Sequence, residues 1–134
     1  MRAVLCTEFG PPDKLEIKDI PVPKPSKGQV RIKVEACGVN FPDTLIIENK
    51  YQYKPNLPFS PGGEVAGIID ELGEGVKDFS IGDRVMAMTL FGGFAEYVVI
   101  EAGALLRRPP EMDGVTAAGF TMTYGTSMHA LKQR

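Results

Sequence analysis

From residue 29 to 36 the chain reads Gln-Val-Arg-Ile-Lys-Val-Glu-Ala, polar and apolar residues alternating without a fault. Successive side chains of a strand point to opposite faces, so Val30, Ile32, Val34 and Ala36 share one face and Arg31, Lys33 and Glu35 the other. Such a segment commits the chain to a sheet with one buried side. Residues 64–72 supply a second strong strand, in which Gly67 marks a bend or bulge. Further strands are expected at 83–88, 94–100 and 105–108, the first two joined through Phe91-Gly92-Gly93, where glycine accepts positive φ. At the amino end, 2–6 and 15–20 read as an edge hairpin with Leu15 and Ile17 on one face. Pro21, Pro23 and Pro25 then forbid ladder pairing and make 21–27 an extended surface connection. With 15 Gly and 11 Pro, the composition favours short strands joined by turns, and the length suits one domain with one core. The fold class is mainly β, a small barrel or sandwich.

Helical signals are confined to two places. Asn40 is a capping residue, Asp43 sits three positions later where an acid suits a positive helix end, and Pro42 is tolerated only in a first turn. A short helix over 41–48 follows, and the proline-rich stretch 51–61 should be irregular. From Asp113 onward Val115, Ala118, Met122, Met128 and Leu131 lie near helical spacing, which predicts a carboxy-terminal helix.

The formal charge of −2 offers no basic field for a polyanion, so a nucleic acid partner is not expected. No apolar run approaches the ~20 residues that cross a bilayer, and residues 1–8 lack the apolar segment of a signal peptide. The chain reads as cytoplasmic, with no membrane partner. Cys6 and Cys37 are too few for a disulfide framework and read as reduced packing residues.

Three blocks carry a family resemblance: Ala36-Cys37-Gly38-Val39-Asn40-Phe41-Pro42-Asp43, Pro61-Gly62-Gly63-Glu64-Val65-Ala66-Gly67, and Gly82-Asp83-Arg84-Val85. In this order they resemble the amino-terminal half of the medium-chain dehydrogenase/reductase family, and nearly the whole sequence falls in register with it. The resemblance implies a GroES-like β-barrel, with one short helix after the third strand and a carboxy-terminal helix. It divides the chain into a substrate-binding lobe, 1–112, and a helix, 113–134, leading toward a dinucleotide-binding domain. No Gly-x-Gly-x-x-Gly phosphate turn between a strand and a helix occurs in these residues.

At the two positions that hold catalytic zinc in the family's alcohol dehydrogenases, this sequence resembles the zinc-free branch. Asn40 is a poor donor and Gly63 has no side-chain donor at all, whereas zinc needs N, S or carboxylate ligands. The expectation is therefore no metal and a quinone-oxidoreductase, zeta-crystallin-like reductase. Its complete enzyme would pass hydride from NADPH to a quinone or enone and would pair as a homodimer, while the isolated chain would be inactive. A stand-alone GroES-like binding or co-chaperonin-type module is the alternative on the same barrel.

The resemblance also nominates site residues. Asn40 is placed in the cleft, as a catalytic donor to a substrate carbonyl and as a contact to the nicotinamide end of the cofactor; on residue type it is an N-cap, and the two roles coexist. Tyr51 would border the quinone pocket as a second catalytic side chain, with Tyr53 its competitor and a packed loop tyrosine the alternative. Thr123 and Thr126 would meet the nicotinamide carboxamide or ribose, or be ordinary helix-surface threonines. Asp43 and Glu64, beside the former metal positions, are assigned structural hydrogen bonds. His129 has the residue type of a general acid at a position the family does not use for proton transfer, and Arg107-Arg108 read as a solvated pair.

Overall fold

The computed structural model describes residues 1–132. Its centre is an antiparallel five-stranded sheet in the order β6-β3-β4-β5-β7, built from β3 (Gln29–Gly38), β4 (Glu64–Leu72), β5 (Arg84–Met88), β6 (Tyr97–Glu101) and β7 (Leu105–Arg107). The alternation in β3 does what its period requires: Val30 and Ile32 are fully buried, whereas Lys33 and Glu35 are exposed. They pack with Val65, Ile69, Val85 and Ile100 in one apolar cluster. Burying an aliphatic side chain of this size stabilises the fold by about 1.5–3 kcal/mol. Gly67 opposes Val34 beside a register shift in the β3–β4 ladder, and a Cβ there would run into the Lys33 carbonyl oxygen. The expected bulge thus coincides with a close backbone approach that only glycine allows.

β1 (Arg2–Leu5) and β2 (Glu16–Asp19) form the expected hairpin, yet Ile17 is exposed while Ala3 and Leu5 are buried. The hairpin therefore buries its first strand alone. It joins the rest through single bridges, Ala3 to Ala95 and Cys6 to Phe59, so the barrel is not closed by a continuous ladder. This also corrects the start of the expected 94–100 strand. Val4 N–H donates to Phe94 O at 2.8 Å and Glu96 N–H to Arg2 O at 3.2 Å, so this stretch serves β1 before β6 begins at Tyr97.

Arg107 and Arg108 are not a solvated pair. Adjacent positions on an extended chain face opposite ways. Arg107 points outward to Asp83 at 3.1 Å, whereas the Arg108 side chain is fully buried and places Nη1 2.6 Å from Glu35 Oε2. Cys6 is buried and Cys37 half-buried, both as free thiols.

The short helix α1 spans Phe41–Ile46 and stops before the expected 48, where Asn49 takes a left-handed φ of 59°. The carboxy-terminal helical stretch is two helices, α2 (Gly114–Ala118) and α3 (Thr121–Lys132), parted at Gly119-Phe120. Asp113 caps α2 by accepting from Thr116 N–H at 2.7 Å, and Ala117 and Ala118 pack on Ala66 and Met86 of the sheet. The apolar spacing expected to bury one continuous face does not: Val115, Met128 and Leu131 are exposed, and α3 buries none of its residues. The last two positions of the expected 113–134 helix, Gln133 and Arg134, lie outside the described residues. No helix among the described residues is long and apolar enough to cross a membrane.

Candidate active-site cleft

A cleft of about 230 Å³ opens where α1, the chain after β5 and the first turn of α3 converge. Pro42, Ile46, Tyr51, Leu90 and Met122 give it apolar walls, and Asn40, Asp43 and Gly63 line it beside them. Local sequence explains this placement. β3 ends at Gly38, opposite Glu64 in the ladder, and a side chain at Gly38 would meet the Ala118 carbonyl oxygen and crowd Glu64 Oε2. The chain then turns into α1 through an Asn40/Asp43 capping box, in which Asp43 Oδ2 accepts from Asn40 N–H at 2.8 Å.

Glu64 is the hub of the hydrogen bonding. Its carboxylate is 1% exposed, accepting from Asn40 Nδ2 at 2.9 Å through Oε2 and from Met122 N–H at 2.9 Å through Oε1. Asp43 is buried beside it. Burial pushes the Asp43 carboxyl above the usual aspartate range, the backbone N–H groups of Asn40, Gly63 and Gly62 pull it back, and the Glu64 charge adds a further upward push. Burial likewise pushes the Cys37 thiol up to about 12, so this sulfur stays protonated at neutral pH.

Gly63 has no side-chain donor, and its backbone is closely packed. An added Cβ would sit 2.8 Å from the Thr89 carbonyl oxygen, and Thr89 N–H donates to Gly63 O at 2.7 Å, so the two backbones already touch. No group of three or more His, Cys, Asp and Glu suited to hold a metal ion occurs among the described residues.

Residues 26–110 match the alcohol dehydrogenase GroES-like domain. The chain belongs to that family. As the three sequence blocks implied, the wider likeness is to the medium-chain dehydrogenase/reductases. Over 133 residues this GroES-like domain is 44% identical to a quinone oxidoreductase of Lama guanicoe and 42% identical to one of Homo sapiens, in each case across 98% of the chain. The chain spans about 40% of the length of these curated relatives. Among solved structures it superposes on the human synaptic vesicle membrane protein VAT-1 homolog-like protein with a TM-score of 0.95 at 36% identity, covering 99% of this chain and 43% of that one. It also superposes on the quinone oxidoreductase of Thermus thermophilus, solved alone and with NADPH, with a TM-score of 0.85 at 35% identity, covering 99% of this chain and 41% of that one.

Within the GroES-like domain the nominated residues divide. Asn40 and Tyr51 both line the cleft, and Tyr51 also packs against Cys6, Ile46, Ile47 and Phe59. Tyr53 is elsewhere, stacked on Phe91 with ring centroids 5.8 Å apart. Thr123 and Thr126 are exposed on α3 and are not among the residues lining the cleft; the Thr123 hydroxyl donates to Gly119 O at 2.8 Å, in the turn just before its helix. Their neighbour Met122 does reach the cleft. Glu64 and Asp43 make hydrogen bonds as expected, though Glu64 was not foreseen as the hub. The missed lining residues are Met88, which ends the 83–88 strand, and Thr89 and Leu90, which directly follow it; the only signal for them was this position. His129 is exposed on α3.

Proposed function

We propose that this chain is the substrate-binding lobe of an NADPH-dependent reductase of quinones or enones, acting by hydride transfer without zinc. The observation that carries this reading is an apolar cleft whose side-chain amide, Asn40, is held by a buried carboxylate, at a place where Gly63 offers no ligand. A planar neutral acceptor suits apolar walls. As hydride arrives, its carbonyl oxygen gains negative charge, and a preorganised N–H donor stabilises that charge most where water is excluded. Tyr51 supplies a flat wall and a phenol for the same ring.

The chain's residues fit only the nicotinamide end of the cofactor. Asn40 and Met122 stand together at the cleft, with Thr123 and Thr126 on the adjoining outer face of α3. No Gly-rich phosphate turn is present in these residues for the pyrophosphate. When bound, NADPH supplies the hydride. The lobe's part is to orient the acceptor, keep water out and hold a donor at the developing oxyanion. In this reading 1–112 is the lobe and 113–134 leads to a dinucleotide-binding domain. The complete protein is a cytoplasmic homodimer with no nucleic acid or membrane partner.

The test is a nuclear magnetic resonance titration of the 134-residue chain with duroquinone, whose ring carbons are fully substituted and spare the thiols. Shifts centred on Asn40, Tyr51 and Met122 are expected, with no NADPH oxidation by the chain alone. Shifts scattered away from the cleft overturn the substrate assignment, and turnover by these residues alone overturns the division of labour.

A further inference from the structure

We infer that Glu64 is a positioning residue that fixes the Asn40 amide with its nitrogen available for donation and ties that orientation to the first turn of α3. The inference rests on the reading of Asn40 as the cleft's donor and adds what sets its direction. Glu64 opens β4 and is mounted on both sides, paired with Gly38 of β3 and Met88 of β5. Its side chain therefore has a rigid base. An ionised carboxylate only accepts, and both partners of Glu64 are N–H groups, Asn40 Nδ2 and Met122 N, each at 2.9 Å.

That chemistry selects one of the two ways an asparagine amide can lie. Turned over, Asn40 would set Oδ1 against Glu64 Oε2, two buried acceptors facing each other with no proton between them. Held as observed, one Nδ2 hydrogen goes to Glu64 and the second remains for a ligand. Asn40 lines the cleft, so that second hydrogen is the donor the acceptor carbonyl needs. A neutral amide at position 64 weakens the selection, since it can accept from Met122 with its oxygen and donate to Asn40 Oδ1 with its nitrogen, leaving the capping contact to Asp43 N–H as the remaining constraint on the amide.

The other oxygen of Glu64 makes the device responsive. The first N–H groups of a helix have no partner within it, and a carboxylate there is favoured by the helix dipole. Met122 N–H is such a group, and the Met122 side chain lines the same cleft. Glu64 thus links the place of α3 to the direction of the Asn40 amide.

The experiment compares the 134-residue chain with its Glu64→Gln variant, using duroquinone and the carbonyl-free arene p-xylene as probes. Duroquinone binding is expected to weaken about tenfold, the worth of one well-placed hydrogen bond, with p-xylene affinity held within about twofold. Equal loss for both probes would mean that Glu64 only shapes the cleft, and no loss for duroquinone would mean that the amide is not set by Glu64; either overturns the inference. If wild-type chain binds no quinone, the functional reading fails by itself, and the side-chain resonances of Asn40 decide the positioning claim separately. In wild type the two Nδ2 protons should exchange with water at different rates, one protected by Glu64. Equal rates would sink the proposal, and this measurement needs no variant to fold.

Discussion

Ile32 in the middle of the sheet and Glu64 at the cleft are hidden from water to the same degree, at 0% and 1% exposure, on neighbouring strands. Ile32 is surrounded by Val30, Val65 and Ile69 and asks nothing of their orientation, because apolar burial is non-directional. Glu64 is tolerated only because two N–H groups stand 2.9 Å from its two oxygens. Equal depth therefore has opposite meanings. In the sheet it measures how much stability a side chain contributes. At the cleft it measures how firmly a side chain is aimed.

The comparison breaks most readily at Ile32. Ile32→Ala removes a fully buried side chain from the largest apolar cluster, and an unfolding free energy lowered by about 3–4 kcal/mol is expected from urea titration. A cost below about 1 kcal/mol would mean that the sheet relaxes around cavities and is no firmer than the cleft.

Asp43 sharpens the contrast through pH. Its folded-state carboxyl lies above the ordinary 3.8 because burial disfavours its charge. Between 3.8 and that higher value the native state holds more protons than the unfolded one, so stability falls as pH rises through this window. Asp83 and Asp113 are shifted the other way, held down chiefly by the backbone N–H groups of Ser80 and Thr116, and contribute stability that is lost as pH falls below 3.8. Urea midpoints measured upward from pH 3.8 should show a decline in wild type that Asp43→Asn flattens. An unchanged slope in the variant would place the acid response outside the cleft.

The smallest effect is expected at the far end of α3, beyond the first turn that meets the cleft. Leu131 is 84% exposed, and Leu131→Lys should leave stability within about 0.5 kcal/mol by thermal melting. A larger loss would show that this helix face packs on the fold, bringing it into the comparison as a third interior.

The strands were readable because a period of two leaves a trace in every residue, as in β3 and β4. The β1–β2 hairpin was readable too, but not which of its faces would be covered, since Ile17 and Leu5 look alike until the sheet lies over one of them. Arg108 shows the same gap. Alternation says that Arg107 and Arg108 face opposite ways, and only the position of Glu35, seventy-three residues earlier, says which of them goes inside. Asn40 and Tyr51, named from the resemblance, both line the cleft. On α3 the lining residue is Met122, one position before Thr123, and neither Thr123 nor Thr126 is among the lining residues.

What the chain's order of residues determined by itself was local: alternating strands, proline breaks, an asparagine cap on α1 and the lack of a side-chain donor at Gly63. These depend on neighbours within a few positions, or on the residue alone. The tertiary structure decided the direction of the Asn40 amide, the upward shift of Asp43 and the burial of Glu64. Each is set by groups far apart in the chain, Asn40, Glu64 and Met122 above all, and hydrogen bonding is too sensitive to distance and angle for spacing in sequence to disclose it.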